Sequence, residues 1–117
     1  MTKDLVLDWS DLLWDSTRPT IAKGVLGSML LSEGADVQKV TLTRVEPEGT
    51  FLEHTDDYAH IFLFLEGQGE GWLGGEMYAI HPRMVVRVPA GLSHGYRNTG
   101  TSDLILLTIN YRASNST

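Results

Sequence analysis

Four side chains in this sequence have the types and the spacing of metal ligands. His54, Asp56 and His60 lie within one short run, and His94 follows on a later segment. Three imidazoles and one carboxylate suit a divalent transition metal and leave coordination positions open for water or a substrate. The chain has 4 histidines, and three of them belong to this group. The sequence therefore predicts one divalent transition metal ion held by these four residues.

The composition narrows the fold class and the partners. At 117 residues, with 42% hydrophobic and 21% charged residues, the chain predicts one ordinary globular domain over residues 1–117. A net charge of −6 provides no basic patch for the phosphates of a nucleic acid. The early acids Asp4 and Asp8 interrupt any signal-peptide core, and no apolar run is long enough to span a bilayer. We therefore expect a cytoplasmic protein without a nucleic-acid or membrane partner.

Short apolar segments alternate with turns that contain glycine and proline. The segments cover residues 25–31, 37–45, 61–65, 72–73, 84–88 and 104–111. Many short strands separated by such turns are typical of a β-sandwich or a β-barrel. Residues 10–14 suggest a single helical turn with Ser10 as its N-cap. The chain is therefore predicted to be all-β.

Strand periodicity predicts where the candidate ligands point. Residues i and i+2 of a strand project to the same face of a sheet. The faces defined in this way carry His54 with Asp56, His60 with Phe62 and Phe64, and His94 with Tyr96. Ligands from neighbouring strands would then meet inside a barrel with an aromatic wall. An apolar cavity with a few placed polar groups is the usual form of a small-molecule site.

Three further residues have competing interpretations. Asp57 rivals Asp56 as the carboxylate ligand, but its parity directs it outward, so Asp56 is preferred. Tyr96 lies on the same face as a candidate ligand, and its hydroxyl either assists catalysis as a proton donor or fills the barrel mouth. Arg44 shares parity with Leu42. It either enters the substrate pocket to bind an anionic group or lies solvated at a strand end.

Two stretches of the chain resemble the two sequence motifs of the cupin family. The second cupin motif, Pro-x-Gly-x2-His-x3-Asn, is matched in full by Pro89, Gly91, His94 and Asn98. The first motif has Gly, then His-x-His, then Glu after three or four residues and Gly after six more, and residues 49–67 resemble it. The resemblance implies a jelly-roll barrel, a double-stranded β-helix that is closed enough to hide its strand edges.

The first motif departs from the cupin pattern at two of its ligand positions. Asp56 stands where the family has its second His, and His60 stands where the family has its Glu. Together the two substitutions exchange places and preserve three imidazoles and one carboxylate. A site that binds a metal has to keep that sum of ligands, whereas a decaying site has no reason to keep it.

The resemblance implies a metal-dependent enzyme that acts on a small, oxygen-rich organic substrate. Cupins include dioxygenases, and they also include lyases, isomerases and dehydratases that use the metal as a Lewis acid. The fold does not choose among these reactions. The ion would be Fe, Mn, Zn, Ni or Co. The alternative is a non-catalytic small-molecule-binding or sensor module of the same fold.

The first segment of the chain, about residues 1–20, carries more apolar bulk than a free arm should. Its large apolar side chains are Leu5, Leu7, Trp9, Leu12, Leu13 and Trp14. We expect this arm to pack on the barrel or on a second subunit. The resemblance to small cupins implies a homodimer.

Overall fold

The computed structural model describes residues 9–31 and 37–112, which form nine β-strands and one short 3-10 turn. The strands are β1 Asp15–Ser16, β2 Ala22–Leu31, β3 Val37–His54, β4 Ala59–Glu66, β5 Gly69–Leu73, β6 Glu76–Ile80, β7 Met84–Val88, β8 His94–Asn98 and β9 Leu104–Tyr111. The 3-10 turn, Trp9–Asp11, overlaps the predicted helical turn. Within these residues no helix has the length and the apolar character needed to cross a membrane. The predicted all-β fold is confirmed.

The strands form one antiparallel sheet that curls into a nearly closed barrel. The strand order is β6-β5-β8-β3-β9-β4-β7, and in addition β2 pairs with β3 and β1 pairs with β2. The long strand β3 joins the two halves of the barrel, because its first half pairs with β9 and its last residues pair with β8. β3 bends between these two regions, where Glu48 has a φ of 69°. A side chain at the neighbouring Gly49 would collide with the Glu46 carbonyl.

Three rows of paired residues cross β3, β9 and β4 on the interior face of the barrel. Residues directly opposite each other in an antiparallel pair share a face of the sheet. The mouth row is Lys39, Asn110 and His60; the middle row is Thr41, Thr108 and Phe62; the inner row is Thr43, Leu106 and Phe64. Polar side chains become fewer from the mouth row to the inner row, so the interior changes from a hydrophilic mouth to an apolar core.

The apolar core begins at the inner row. Phe64, Val45, Leu104 and Leu106 are completely buried, and Phe62 is nearly so. Full burial of one such side chain contributes about 1.5–3 kcal/mol. The packed core therefore provides a rigid base for the strand ends that carry the polar mouth row.

The segment before β2 packs against the barrel. β1 pairs with β2, and the Arg44 guanidinium lies 5.1 Å from the centroid of the Trp14 ring. Leu13, by contrast, is 83% exposed. Trp14 therefore contacts Arg44 of the barrel, whereas Leu13 is exposed, and the packing of the whole arm stays a prediction. Leu5 and Leu7, like the side chain of Trp9, lie outside the described residues.

Candidate metal site

Three strand ends and one loop bring the candidate ligands together at the mouth of the barrel. His54 ends β3, His94 begins β8 directly opposite it, and His60 is the second residue of β4. Asp56 lies in the loop between β3 and β4. The Gly91 amide donates a hydrogen bond of 2.7 Å to the Asp56 carbonyl. This bond ties the loop to the turn before β8, so the two motif segments are joined at the site itself.

One carboxylate oxygen is the meeting point of the three imidazoles. Asp56 Oδ2 lies 2.9 Å from His60 Nε2, 3.2 Å from His54 Nε2 and 3.4 Å from His94 Nε2. With metal–ligand bonds of about 2.1 Å, neighbouring ligand atoms are about 3.0 Å apart around an octahedral ion and about 3.4 Å apart around a tetrahedral one. Ligand atoms of His54, Asp56 and His94 also lie within 4.8 Å of one another. The separations within His54, Asp56 and His94 fit a single ion. His60 lies outside this group of three and reaches it through its 2.9 Å contact with Asp56 Oδ2, so its ligation stays a prediction.

The far nitrogen of each imidazole is committed to an oxygen acceptor. The Nδ1–H of His54 donates to the Leu52 carbonyl at 2.7 Å, and the Nδ1–H of His94 donates to the Leu92 carbonyl at 2.8 Å. His60 is hydrogen-bonded at both nitrogens, to Asn110 Oδ1 through Nδ1 at 2.7 Å and to Asp56 Oδ2 through Nε2 at 2.9 Å. A neutral ring that donates from Nδ1 keeps a lone pair on Nε2. Such hydrogen bonds fix the tautomer and the orientation of histidine ligands at metal sites. His54 and His94 are therefore oriented with an Nε2 lone pair toward Asp56 Oδ2, and His60 shares the same oxygen through its Nε2 hydrogen bond.

Facing lone pairs repel each other unless a cation lies among them. A proton on one imidazole would satisfy one of the three Nε2 contacts with Asp56 Oδ2 and leave the other two unsatisfied. A divalent metal satisfies all of them at once, and the donor set of imidazoles and one carboxylate is suited to Zn, Fe, Mn, Ni or Co. The residues that are present therefore fit the metal that the cupin motifs imply.

Charge and burial prepare two of these groups for ligation. Burial by itself raises the pKa of Asp56, but its contacts with His60 and Arg18 outweigh burial and hold that pKa below its ordinary value of 3.8. Arg18 Nη1 donates to Asp56 Oδ1 at 2.9 Å, which leaves Oδ2 to the imidazoles. Burial lowers the pKa of the His94 imidazole below 6.5, so its neutral, ligating form prevails at pH 7. Asp57 is exposed, in agreement with the preference for Asp56.

The candidate ligands open into a cavity of about 80 Å³ that has two chemically different walls. The aromatic wall consists of Phe51, Phe62 and Tyr96, and the polar wall consists of Lys39, Thr41, Thr43, Thr108 and Asn110. Thr17, Arg18 and Tyr58 complete the lining. The volume is well below the roughly 300–1,000 Å³ of sites for drug-sized ligands. The cavity therefore fits a molecule of few atoms.

Apart from Arg44, the residues predicted to form the substrate pocket separate into two groups. Phe62 and Tyr96 line the cavity, and their rings meet edge to face at 5.6 Å. Burial raises the pKa of the Tyr96 hydroxyl, which keeps it protonated. Phe64 lies in the inner row, is completely buried and belongs to the core.

Arg44 does not enter the cavity, which corrects the expectation that it binds an anionic substrate there. Its guanidinium lies over the Trp14 ring, and its Nε is 3.7 Å from Asp103 Oδ2. Thr41 and Thr43 hold the interior positions of β3, and the alternation of the strand directs Arg44 to the other face.

Two cations of the site were missed by the sequence analysis. Arg18 contacts Asp56 from the segment before β2, and no local pattern indicates a contact between residues so far apart in sequence. Lys39 lines the cavity from β3. The polar alternation of Lys39, Thr41 and Thr43 is the signal that could have identified this wall.

Comparisons with known proteins identify the fold family. The Cupin_2 family model, a cupin domain, matches residues 41–110. No curated protein matches the chain. A solved structure of a predicted oxalate decarboxylase from Thermotoga maritima is 24% identical to this chain, with a TM-score of 0.83 and coverage of 92% of this chain and 99% of that one.

Other solved structures are similar at lower identity. The polyketide cyclase RemF from Streptomyces resistomycificus is 22% identical, with a TM-score of 0.80 and coverage of 95% of this chain and 81% of that one. KdgF from a Halomonas species is 16% identical, with a TM-score of 0.74 and coverage of 91% and 94%. At these identities the likeness shows the fold alone. With the family model covering both motifs and most of the barrel, this chain belongs to the cupin superfamily.

Proposed function

We propose that this cupin is a metal-dependent enzyme that acts on a small, oxygen-rich organic substrate. The observation that carries the proposal is the convergence of three Nε2 atoms on Asp56 Oδ2, with all three Nδ1 atoms hydrogen-bonded elsewhere. A structural role does not need such an arrangement, because buried polar groups are normally satisfied within the chain. When bound, a divalent ion supplies a Lewis acid that polarises a substrate oxygen.

The four ligands in this proposal are His54, Asp56, His60 and His94. Arg18 is a positioning residue, since it holds Asp56 Oδ1 and thereby presents Oδ2 to the imidazoles. The aromatic wall excludes bulk water beside the ligands, which strengthens electrostatic interactions with a bound substrate. The small cavity volume of about 80 Å³ favours a substrate of few heavy atoms.

The reaction is either a dioxygenation or a Lewis-acid lyase, isomerase or dehydratase reaction. One structural relative is named a predicted oxalate decarboxylase and another a polyketide cyclase, so this fold serves several reactions. The small cavity is closer in size to a short carboxylic acid than to a polyketide. The volume thus favours the smaller of these substrate types.

Tyr96 is proposed as a proton donor because it lines the cavity two residues after His94 and keeps its proton. We predict that Tyr96→Phe leaves metal content unchanged and lowers kcat by about a hundredfold or more, since general acid catalysis typically contributes that much. Metal analysis and steady-state kinetics on the same preparation test this. Unchanged kcat would assign Tyr96 to the cavity wall alone.

The alternative function is a non-catalytic binding or sensor module. The observation that favours it is the burial of Tyr96, which is 3% exposed and packed against Phe51 and Phe62. A hydroxyl held among rings can fill space without transferring a proton. The module would still bind the metal and a small molecule and would show no turnover.

The homodimer and the cytoplasmic location expected from the sequence stay predictions. Light scattering coupled to gel filtration measures the first directly. A molar mass near twice the 13.0 kDa of the chain is expected, and a mass near 13.0 kDa would contradict the dimer.

The experiment that tests the proposed function combines metal analysis with a substrate screen. The protein is purified without added metal, analysed for bound elements, and then assayed with β-diketones, uronates and hydroxy acids, with oxygen uptake as a parallel measurement. Stoichiometric metal with turnover that disappears in His94→Ala is the expected result. Stoichiometric metal without turnover on any of these compounds would favour the binding module.

A further inference from the structure

The polar wall of the cavity contains a cation that the proposed metal site does not use. Lys39 of β3 lies at one end of the mouth row. It pairs with Asn110 of β9, and Asn110 pairs in turn with His60 of β4. Strands are spaced by about 4.8 Å, so the Cα atoms of Lys39 and His60 are roughly 10 Å apart across β9. A molecule of few atoms can therefore contact the long side chain of Lys39 and the imidazole group together.

Lys39 is the charged residue of the cavity lining that has no ion-pair partner among the described residues. Asp56 is the one carboxylate among the described residues that line the cavity, and both of its oxygens are engaged. Arg18 is the other cation of the lining, and it is paired with Asp56. Across residues 9–31 and 37–112 no ion pair involves Lys39. Among the described residues, the polar wall therefore offers a bound molecule one positive charge that has no ion-pair partner.

Hydroxyl groups continue the polar wall directly below Lys39. Thr41 and Thr108 occupy the middle row, and Thr43 Oγ1 and Thr108 Oγ1 lie 3.0 Å apart in a hydrogen bond. Threonine hydroxyls inside a barrel are costly unless they are hydrogen-bonded, whereas valine would fill the same space without that cost. A bound molecule that carries oxygen atoms supplies partners for the hydroxyls that face the cavity. Such an interior selects against a purely apolar ligand.

We propose that Lys39, with the hydroxyls of Thr41 and Thr108, forms a carboxylate-binding subsite, so that the substrate is a small carboxylate with a second oxygen function. The carboxylate contacts Lys39, the second oxygen reaches the imidazole end of the cavity, and the carbon skeleton lies along Phe62 and Tyr96. Lysine pairs with a carboxylate as a compact point charge, and such charge-assisted bonds are among the strongest in proteins. The contact of the second oxygen with the imidazole end of the cavity rests on the proposed function. The contact of the carboxylate with Lys39 does not.

Two probes of the same skeleton isolate the charge. Malonate and acetylacetone both have a three-carbon 1,3-dicarbonyl core, and they differ in that malonate ends in charged oxygens where acetylacetone ends in methyl groups. Calorimetric titration of each probe into the wild-type protein is expected to give tighter binding of malonate. In Lys39→Met, the affinity for malonate should fall by about tenfold or more, while the affinity for acetylacetone should change by less than about twofold.

Matched variants separate the charge from general effects of mutation. Lys23→Met removes an exposed lysine of β2 that does not line the cavity, and it should leave both affinities unchanged. Lys39→Arg should retain most of the malonate affinity, since it keeps the charge. Thr41→Val removes a hydroxyl at nearly constant side-chain shape and should lower the affinity for malonate severalfold. If Lys39→Met fails to fold, the arginine and valine variants still test the subsite.

The titrations are run on metal-free and metal-loaded protein, so that the two proposals fail separately. Lys39-dependent malonate binding in protein that takes up no metal would support the subsite and overturn the metal-dependent function. Equal malonate affinity in wild type and Lys39→Met, in both forms, would overturn the subsite and leave the metal site standing. Tighter binding of acetylacetone than of malonate by the metal-free wild-type protein would also overturn the subsite.

Discussion

The two ends of β8 carry buried polar side chains with opposite hydrogen-bond arrangements. At one end, Asn98 Nδ2 donates to the Val45 carbonyl at 2.9 Å and to the Ser102 carbonyl at 2.8 Å, and its Oδ1 accepts from the Gly100 amide at 2.8 Å. At the other end, His94 satisfies only Nδ1, and its Nε2 faces a carboxylate oxygen at 3.4 Å. Both residues are fixed positions of the second cupin motif.

The two ends of β8 therefore differ in role: Asn98 contributes to stability, whereas His94 has a ring nitrogen available for chemistry. Asn98 joins three backbone groups of two segments, and every polar hydrogen of its side chain is used within the chain. Its interactions are complete without a ligand, as expected of a structural residue. His94 and His54 each present an Nε2 atom that forms no hydrogen bond within the described residues. Motif membership alone does not distinguish the two roles, whereas the hydrogen bonds do.

The largest effect on metal binding is expected from His94→Ala. Removing this imidazole deletes one ligand and opens the site beside Phe62, so we predict that the purified variant retains no stoichiometric metal. Elemental analysis after dialysis measures this. Retention of a full equivalent of metal by the folded variant would place the ion elsewhere.

A large effect is also expected from pH. Ligating imidazoles must be neutral, so protons compete with the metal and affinity should fall as pH is lowered through the histidine range. Burial lowers the pKa of His94 below 6.5, so this residue keeps its neutral form to lower pH than an ordinary histidine. Each imidazole that becomes protonated in the free protein should cost up to about tenfold in affinity per pH unit. Calorimetric affinity that stays constant between about pH 5 and 8 would argue against histidine ligands.

An intermediate effect is expected from Arg18→Gln. Arg18 holds Asp56 Oδ1, and loss of a partner that orients a ligand typically lowers metal affinity by about 10–100-fold. Arg97→Gln is the matched control, because Arg97 pairs with Glu70 on the exposed face of β8 and touches no ligand. Competition titration with a chelator measures both variants. Identical affinities for the two variants would mean that Arg18 does not position Asp56.

The smallest effect on metal binding is expected from Asn98→Ala, which should nevertheless unfold more easily. Truncation leaves two carbonyls and one amide without their partner, and such a loss costs about 1–3 kcal/mol. Urea unfolding of the metal-free protein gives the change in the free energy of unfolding, and titration gives the metal affinity. A drop in metal affinity with unchanged stability would reverse the roles assigned to the two ends of β8.

The sequence predicts the cupin barrel through the resemblance of its two motifs, and it predicts the approach of the candidate ligands through local strand alternation. His60 and Phe62 share the interior face of β4, and His94 and Tyr96 share that of β8, as alternation requires. The sequence pattern also singled out Asp56 over Asp57, and the structure buries the former and exposes the latter. Ligation by the four residues stays a prediction.

The expectation that Arg44 faces the cavity failed because β3 is buried on both faces. Leu42 is 4% exposed on one face, and Thr41 and Thr43 are 9% and 4% exposed on the other. When both faces are buried, the hydrophobic residue no longer marks the interior. The polar threonines line the cavity, and Arg44 follows Leu42 to the opposite face. Arg18 was beyond prediction for a different reason, since its contact with Asp56 depends on how the N-terminal segment returns to the barrel mouth.

The central claim is that one ion lies among the three Nε2 atoms and Asp56 Oδ2. A crystal structure of the metal-loaded protein, with anomalous scattering measured at the absorption edge of the metal, tests it most directly. The account predicts a single peak with His54, His60 and His94 nitrogens at about 2.0–2.2 Å and Asp56 Oδ2 as the fourth ligand. A peak at this site with Asp56 or His60 turned to solvent, or no peak at all in metal-loaded crystals, would contradict the account.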